Sequence, residues 1–415
     1  MRIRSTLDSM LNASVIGVCA MGLCSTAAVA QDECVDLQLI GSYGEAYVGA
    51  DRTVAAYHDG YAYLLGQPSA WSGLEVIDLR DPSSPTLAAS YTIADLESGG
   101  SSIAVQGDLV FLGGYRELVV FDVAQGQVRS VHSTSRASIK DICVDGDLVY
   151  LGLDWHSSDH DGGFEIIDVS DPSSPVVLSS VRYELDAGYG GVSDIQFKDS
   201  VLYVLHEELG LLRYWVQDPH TPELLGGYQL PDGRYDYMAL NGDVAYLGTS
   251  QGEIEGVLSL DVTDPSSVSL AGSSLEFIPL IHAPATAIRG DYMVLGYEGR
   301  FETRVLNISD PFFPVLEFGT RSVFGWPAFI DDETLVLMNG HGLRVYDLST
   351  GFSGDCLPVD ICDFNADGAI NMFDVSRFID AYLQERVDGD LNHDGVTNRF
   401  DVSAFIQCYG YNAGW

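Results

Sequence analysis

Between residues 31 and 356 the apolar positions fall in short alternating runs of Val, Leu, Ile, Tyr and Phe, each closed by a turn signal, and the arrangement copies itself. The clearest run, Gly73-Leu-Glu-Val-Ile-Asp78, leads into Asp81-Pro82-Ser-Ser-Pro85. It returns as Phe164-Glu-Ile-Ile-Asp168 ahead of Asp171-Pro172-Ser-Ser-Pro175. Weaker copies end in Asp218-Pro219, Asp264-Pro265 and Asp310-Pro311, and eroded ones stop at Asp122 and Asp347. The Asp-Pro pairs step by about 46 residues, with one unit lacking the pair between 81 and 171. A second signal precedes each run: Gly107-Asp108, Gly146-Asp147, Gly242-Asp243 and Gly290-Asp291, with variants at Asp59-Gly60, Asp199-Ser200 and Asp331-Asp332-Glu333. Such dipeptides supply the positive-φ residue that a two-residue hairpin needs. Another strand follows the Asp-Pro turn, as in Pro85–Tyr91 and Pro222–Tyr228.

Seven units of about four strands predict a mainly β chain, a seven-bladed β-propeller over 31–356. A stacked solenoid, the rival, would want shorter units and dedicated capping repeats. Unit seven, ending at Asp347–Gly351, lacks its outer strand, and Leu37–Tyr43 reads like the outer strands Leu87–Tyr91 and Leu224–Tyr228. Residues 37–43 are therefore expected to complete blade seven and close the ring, which removes an exposed edge. The unit resembles the LVIVD repeat of bacterial surface and secreted proteins, on strands such as Leu74-Glu-Val-Ile-Asp78. That resemblance implies a propeller and no shared activity.

After residue 357 the pattern changes. Asp363, Asn365, Asp367, Asn371 and Asp374, and again Asp390, Asn392, Asp394, Asn398 and Asp401, place side-chain oxygens at positions 1, 3, 5, 9 and 12 of a loop with Gly368 or Gly395 at 6. The carbonyls of Ala369 and Val396 stand at position 7. Each loop thus offers the oxygen cage a hard cation requires, and two Ca2+ ions are expected. Behind each loop an apolar stripe runs at helical spacing: Val375, Phe378, Ile379 and Tyr382, then Val402, Phe405, Ile406 and Tyr409. The bland alternative is a turn-rich acidic tail.

The duplicated loops, with Asp at position 12, resemble a dockerin, a small α-helical EF-hand-like module over 357–415 that attaches secreted bacterial proteins to a cohesin partner. The resemblance implies that the loop residues just named bind calcium and that positions 10 and 11 meet the partner. Those are Met372-Phe373 and Arg399-Phe400, where cellulosomal dockerins carry small hydroxyl residues. A cellulose-degrading complex therefore does not follow as the destination. Flanking Cys362 and Cys408 are closer to the GC-type variant of the family.

The N-terminus reads as a signal peptide over 1–30: basic Arg2 and Arg4, an apolar stretch Val15–Leu23, and a small-residue cleavage site Ala28-Val29-Ala30. The stretch is too short for a membrane span, and no later one is apolar enough, so a secreted, extracellular or cell-surface protein without a transmembrane segment is expected. A formal net charge of −40 argues against nucleic acid and against anionic membranes. Beyond the leader lie Cys34, Cys143, Cys356, Cys362 and Cys408. Pairing by domain links Cys34 to Cys356 and Cys362 to Cys408, with Cys143 a buried free thiol; a Cys356–Cys362 bridge is the competing arrangement.

Chemistry is sparse. The densest polar loop is Asp154-Trp155-His156-Ser-Ser-Asp159-His160-Asp161, able to hold a metal or simply to be a solvated acidic loop; His206-Glu207-Glu208 is a thinner candidate. No nucleophile elbow, phosphate loop or His-Glu-x-x-His pattern occurs, and no catalytic residue is assigned. The recurring Asp at strand ends and before Pro reads as turn capping. Two functions remain open: a non-catalytic binding or display protein whose propeller takes an unknown protein or glycan ligand, or a dockerin-borne propeller enzyme acting on polysaccharide, of glycoside hydrolase or lyase type.

Overall fold

A computed structural model describes residues 38–44, 54–66, 73–96, 101–134, 138–154, 162–183, 190–229, 234–251, 256–264, 267–274, 285–297, 302–312, 314–320, 325–339, 342–348 and 372–383. All of them belong to the compact unit Val35–Trp415, which is distinct from the unit Met1–Cys34.

The chain enters through β1 (Gln38–Gly44). Blade 1 is β2 (Val54–His58), β3 (Tyr61–Leu65), β4 (Gly73–Asp78) and β5 (Thr86–Thr92); blade 2 is β6 (Ser102–Gln106), β7 (Leu109–Gly113), β8 (Glu117–Asp122) and β9 (Gln127–Ser133). Blade 3 holds β10 (Ser138–Asp145), β11 (Leu148–Asp154), β12 (Gly163–Asp168) and β13 (Val176–Arg182). Blade 4 holds β14 (Val192–Lys198), β15 (Val201–His206), β16 (Gly210–Trp215) and β17 (Glu223–Tyr228). Blade 5 comprises β18 (Arg234–Asn241), β19 (Val244–Gln251), β20 (Gly256–Asp261) and β21 (Ser269–Ser274). Blade 6 comprises β22 (Ala285–Arg289), β23 (Tyr292–Tyr297), β24 (Glu302–Asn307) and β25 (Val315–Thr320). Blade 7 has three strands from the end of the ring, β26 (Trp326–Phe329), β27 (Thr334–Asn339) and β28 (Gly342–Asp347). A single described helix, α1 (Met372–Leu383), lies beyond them.

Each of the seven sheets is four-stranded and antiparallel, a seven-bladed β-propeller. The fourth strand of blade 7 is β1, which pairs with β28 from Gln38↔Asp347 to Gly44↔Gly342. Each innermost strand contacts the innermost strand of the next blade, and β26 contacts β2, so the ring is continuous.

Seven apolar clusters fill the seven seams between successive blades. Blades 7 and 1, for instance, meet through Ala62, Leu64, Ile77 and Leu79 against Val336, Met338, Leu343 and Val345, with Ile40 and Tyr43 of β1 packed alongside. A blade sandwiched this way must be apolar on both faces, which explains why β15 is buried at every position instead of alternating. Full burial of one such aliphatic side chain contributes about 1.5–3 kcal/mol. The outermost strands, covered on fewer sides, keep the polar alternation: β5 is largely exposed, and Leu87 and Leu224 stand 45% and 60% open to solvent.

The turn residues act as their chemistry requires. Asp81, Asp171, Asp218 and Asp310 each accept from the backbone N–H two residues on, at 3.0–3.1 Å. The strand-end residues Asp78, Asp168, Asp261 and Asn307 do the same at 2.8–3.0 Å. The recurring carboxylates are thus turn caps. The Asp-Pro turn of one blade also seats on the blade before it. Ser130 Oγ donates to the Pro172 carbonyl at 2.6 Å, and the Arg213 guanidinium donates to the carbonyls of Val262 and Asp264 at 3.2 and 3.0 Å. Between blades 7 and 1 the same contact is made by bare backbone: a Cβ on Gly41 would sit 2.1 Å from the Pro82 carbonyl oxygen.

Candidate functional site

The antiparallel order puts every first hairpin and every Asp-Pro turn at one end of the ring, and the other loops at the opposite end. At the hairpin end, side chains closing β2, β6 and β14 reach the next blade. His58 Nε2 accepts from Gly107 N (3.2 Å), Gln106 Nε2 donates to the Gly146 carbonyl (2.7 Å), and Lys198 Nζ donates to the Gly242 carbonyl. Arg289 of blade 6 pairs with Asp332 of blade 7. These polar groups fasten blade to blade.

At the opposite end the second strands of blades 3 and 4 finish at Asp154 and His206, so two sequence candidates stand on neighbouring blades. Residues 155–161 lie outside the described residues. Asp154 is bridged by Lys140 Nζ at 3.3 Å. His206 is fully buried, and its Nδ1 accepts from the N–H groups of Glu208 and Leu209 at 3.1 and 3.2 Å. Those bonds fix the proton on Nε2, which meets no hydrogen-bonding partner among the described residues; the Tyr183 ring stands edge-on at 5.2 Å. Burial lowers its pKa to about 4, so the imidazole stays neutral. Within 206–208, the thinner metal candidate, His206 caps the turn after β15. Among the described residues no group of three or more His, Cys, Asp or Glu side chains is arranged to hold a metal.

Two further meetings of titratable groups could not be read from the sequence. At the seam of blades 2 and 3, buried Glu165 accepts from Arg182 at 2.7 Å, with His132 Nε2 at 3.6 Å. Burial raises this carboxyl, but the neighbouring His132 imidazole and the Arg182 guanidinium outweigh it, and the net shift is downward. In the channel wall, Asp141 and Asp194 lie at matching positions of β10 and β14, with Cys143 two residues along β10. The thiol is half-buried instead of fully enclosed, packs beside Tyr150 and Phe197, and is pushed upward by burial and by the nearby carboxylates. It is a poor nucleophile in that state.

The calcium-loop residues Asp363 to Asn371 and Asp390 to Asp401, the partner-facing Arg399 and Phe400, and Cys34, Cys356, Cys362 and Cys408 lie outside the described residues. Met372, Phe373 and Asp374 form the first turn of α1. On that helix Phe378 is buried with its ring tilted against Tyr382 at 5.8 Å, while Ile379 is 40% exposed, a narrower apolar stripe than the sequence implies. No described helix is long and apolar enough to cross a membrane.

The chain carries LVIVD repeats: the profile of that repeat matches residues 53–93 and 138–182, the first and third blades. No curated protein matches. Among solved structures, the chain is similar to the beta-propeller domain of Cps50 (Swd1) from Myceliophteria thermophila, at 10% identity and a TM-score of 0.57, covering 75% of this chain and 100% of that one. It is also similar to the computationally designed Ika8 protein, at 12% identity and a TM-score of 0.51, covering 75% and 99%. Likeness at such identity is likeness of fold alone.

Proposed function

We propose that this is a secreted, non-catalytic binding or display protein, tethered by a calcium-dependent, dockerin-like C-terminal module to a cohesin-like or cell-surface protein partner. The observation that carries the reading is the duplicated loop, Asp363 to Asp374 and Asp390 to Asp401, each followed by a matching apolar stripe. It is supported by the position of α1, which begins at position 10 of the first loop, where an EF-hand helix would leave its cage. The propeller supplies a rigid ring for an unidentified protein or glycan ligand. Its described carboxylates that meet a histidine or each other, Glu165, Asp141 and Asp194, hold seams together. Phe373 and Phe400, at position 11 of both copies, would anchor the partner as exposed aromatic rings, and Cys362–Cys408 would clamp the module.

Without metal the clustered carboxylates repel one another and so short a helix does not persist. Full-length protein should bind two Ca2+ ions by calorimetry and lose helical circular dichroism in EDTA. Asp363→Ala with Asp390→Ala should abolish both, along with retention on the cell surface. A spectrum indifferent to EDTA, with no calcium bound, would sink the proposal.

A further inference from the structure

Asp141 and Asp194 take part in no turn and no calcium loop. Each follows the bulge residue of an innermost strand and sits across from Gly152 or Leu205 of its own blade. Each reaches forward to the next blade: Asp141 Oδ2 accepts from Ile195 N, and Asp194 Oδ2 from Met238 N, both at 2.9 Å. These N–H groups belong to the edge of a strand that has no further strand to bond. One line of side chains thus stitches blade 3 to 4 and blade 4 to 5 along the channel, and Gln196 reinforces the second stitch by donating to the Met238 carbonyl at 2.7 Å.

Among the described residues no cation pairs with either carboxylate. Facing groups are Cys143 and Asp145 on β10, Tyr150 on β11 and Tyr237 on β18. The nearest described lysines, Lys140 and Lys198, are engaged by Asp154 and by the Gly242 carbonyl. Burial raises Asp141 to about 6, and burial together with Asp141 raises Asp194 well above the usual carboxylate range.

We propose that Asp141 and Asp194 form a proton-dependent latch across blades 3, 4 and 5, closed while the pair retains a proton and loosened when that proton is lost to solvent. With one proton held, at most one negative charge lies in the seam and both stitches stay made. With none, two anions repel in a desolvated wall and β14 is pushed off its neighbours. Both carboxyls bind protons more tightly in the folded than in the unfolded chain. Their contribution is therefore complete below the unfolded carboxylate range and declines as pH rises, first as Asp141 ionises at about 6 and finally as the last proton leaves Asp194, held well above the usual carboxylate range.

Hydrogen exchange on the full-length protein tests this, with amide protection at Ile195 and Met238 corrected for the intrinsic pH dependence. Protection should fall at least about ten-fold between pH 5 and pH 9, continuing above the Asp141 transition at about 6 as the second proton leaves, the equivalent of a one-unit pKa difference. Asp141→Asn and Asp194→Asn keep the acceptor oxygen, and each should remove most of that fall. Equal protection at both pH values, or an unchanged fall in the variants, overturns the latch. If neither variant folds, aspartate-labelled wild type must show the infrared band of a protonated carboxyl at pH 5, and its absence overturns the latch equally.

Discussion

At the residue scale, the hairpins show where the chain carries cost. Blade 1 turns through Asp59-Gly60, both at positive φ, with glycine in the second place. Blade 4 makes the same turn through Asp199 and Ser200, at φ 52° and 65°. A left-handed conformation costs an L-residue with a Cβ roughly 1–2 kcal/mol, which glycine avoids at some loss of chain entropy. Ser200→Gly should therefore raise unfolding free energy by about 0.5–1 kcal/mol in urea denaturation. The Val216 N–H bond to the residue-200 carbonyl, 2.9 Å, is retained. Such a turn is legible from the dipeptide. Asp141 and Asp194 are not, because in the sequence they are two among many acidic residues. Their partners, Ile195 and Met238, lie a whole blade further on and offer only backbone.

At the scale of elements, the repeat made most of the ring readable. A run such as Leu74-Glu-Val-Ile-Asp78 between a Gly-bearing hairpin and an Asp-Pro turn admits few structures, and β4 spans it. Residues 37–43 match outer strands in pattern, and β1 covers 38–44, one residue along. The sequence does not reveal why β1 carries Gly41. The residue sits at a bulge opposite Val345, where the turn of blade 1 presses its Pro82 carbonyl against the strand. Gly41→Ala would force that backbone apart, and should cost about 1–3 kcal/mol as overpacking does. The same change at solvent-facing Gly107 meets no neighbouring atom, though its φ of 57° carries a strain of its own. A Gly41→Ala protein melting with the parent would remove the glycine from the closure. Loops 155–161 and the C-terminal module were legible only as composition and motif.

For the whole molecule, pH acts with two opposed signs. The His206 pKa is lowered to about 4 from an ordinary 6.5, so the unfolded chain takes up a proton first, and stability falls as pH drops through that interval. The paired carboxyls act the other way, losing their contribution as pH rises, beginning with Asp141 at about 6. The two windows overlap between about 4 and 6, so the imidazole and the carboxyls partly offset each other there and the melting temperature should vary little with pH on their account. In His206→Asn, whose amide oxygen can still cap the turn, that offset is gone and the melting temperature should fall more steeply as pH rises across the interval. An unchanged slope would assign the compensation to other groups.

The pairing of β1 with β28 joins residue 38 to residue 347, and this has a meaning in time. The strand nearest the start of the chain is among the first to be made, yet its partner edge exists only after the last blade has been built. Until then the seven blades form an open arc: β28 offers an unpaired edge, and β1 waits without a sheet. The ring thus has a beginning that must be kept in reserve, and the moment of its fastening separates a chain that can still mispair from one that no longer presents that edge.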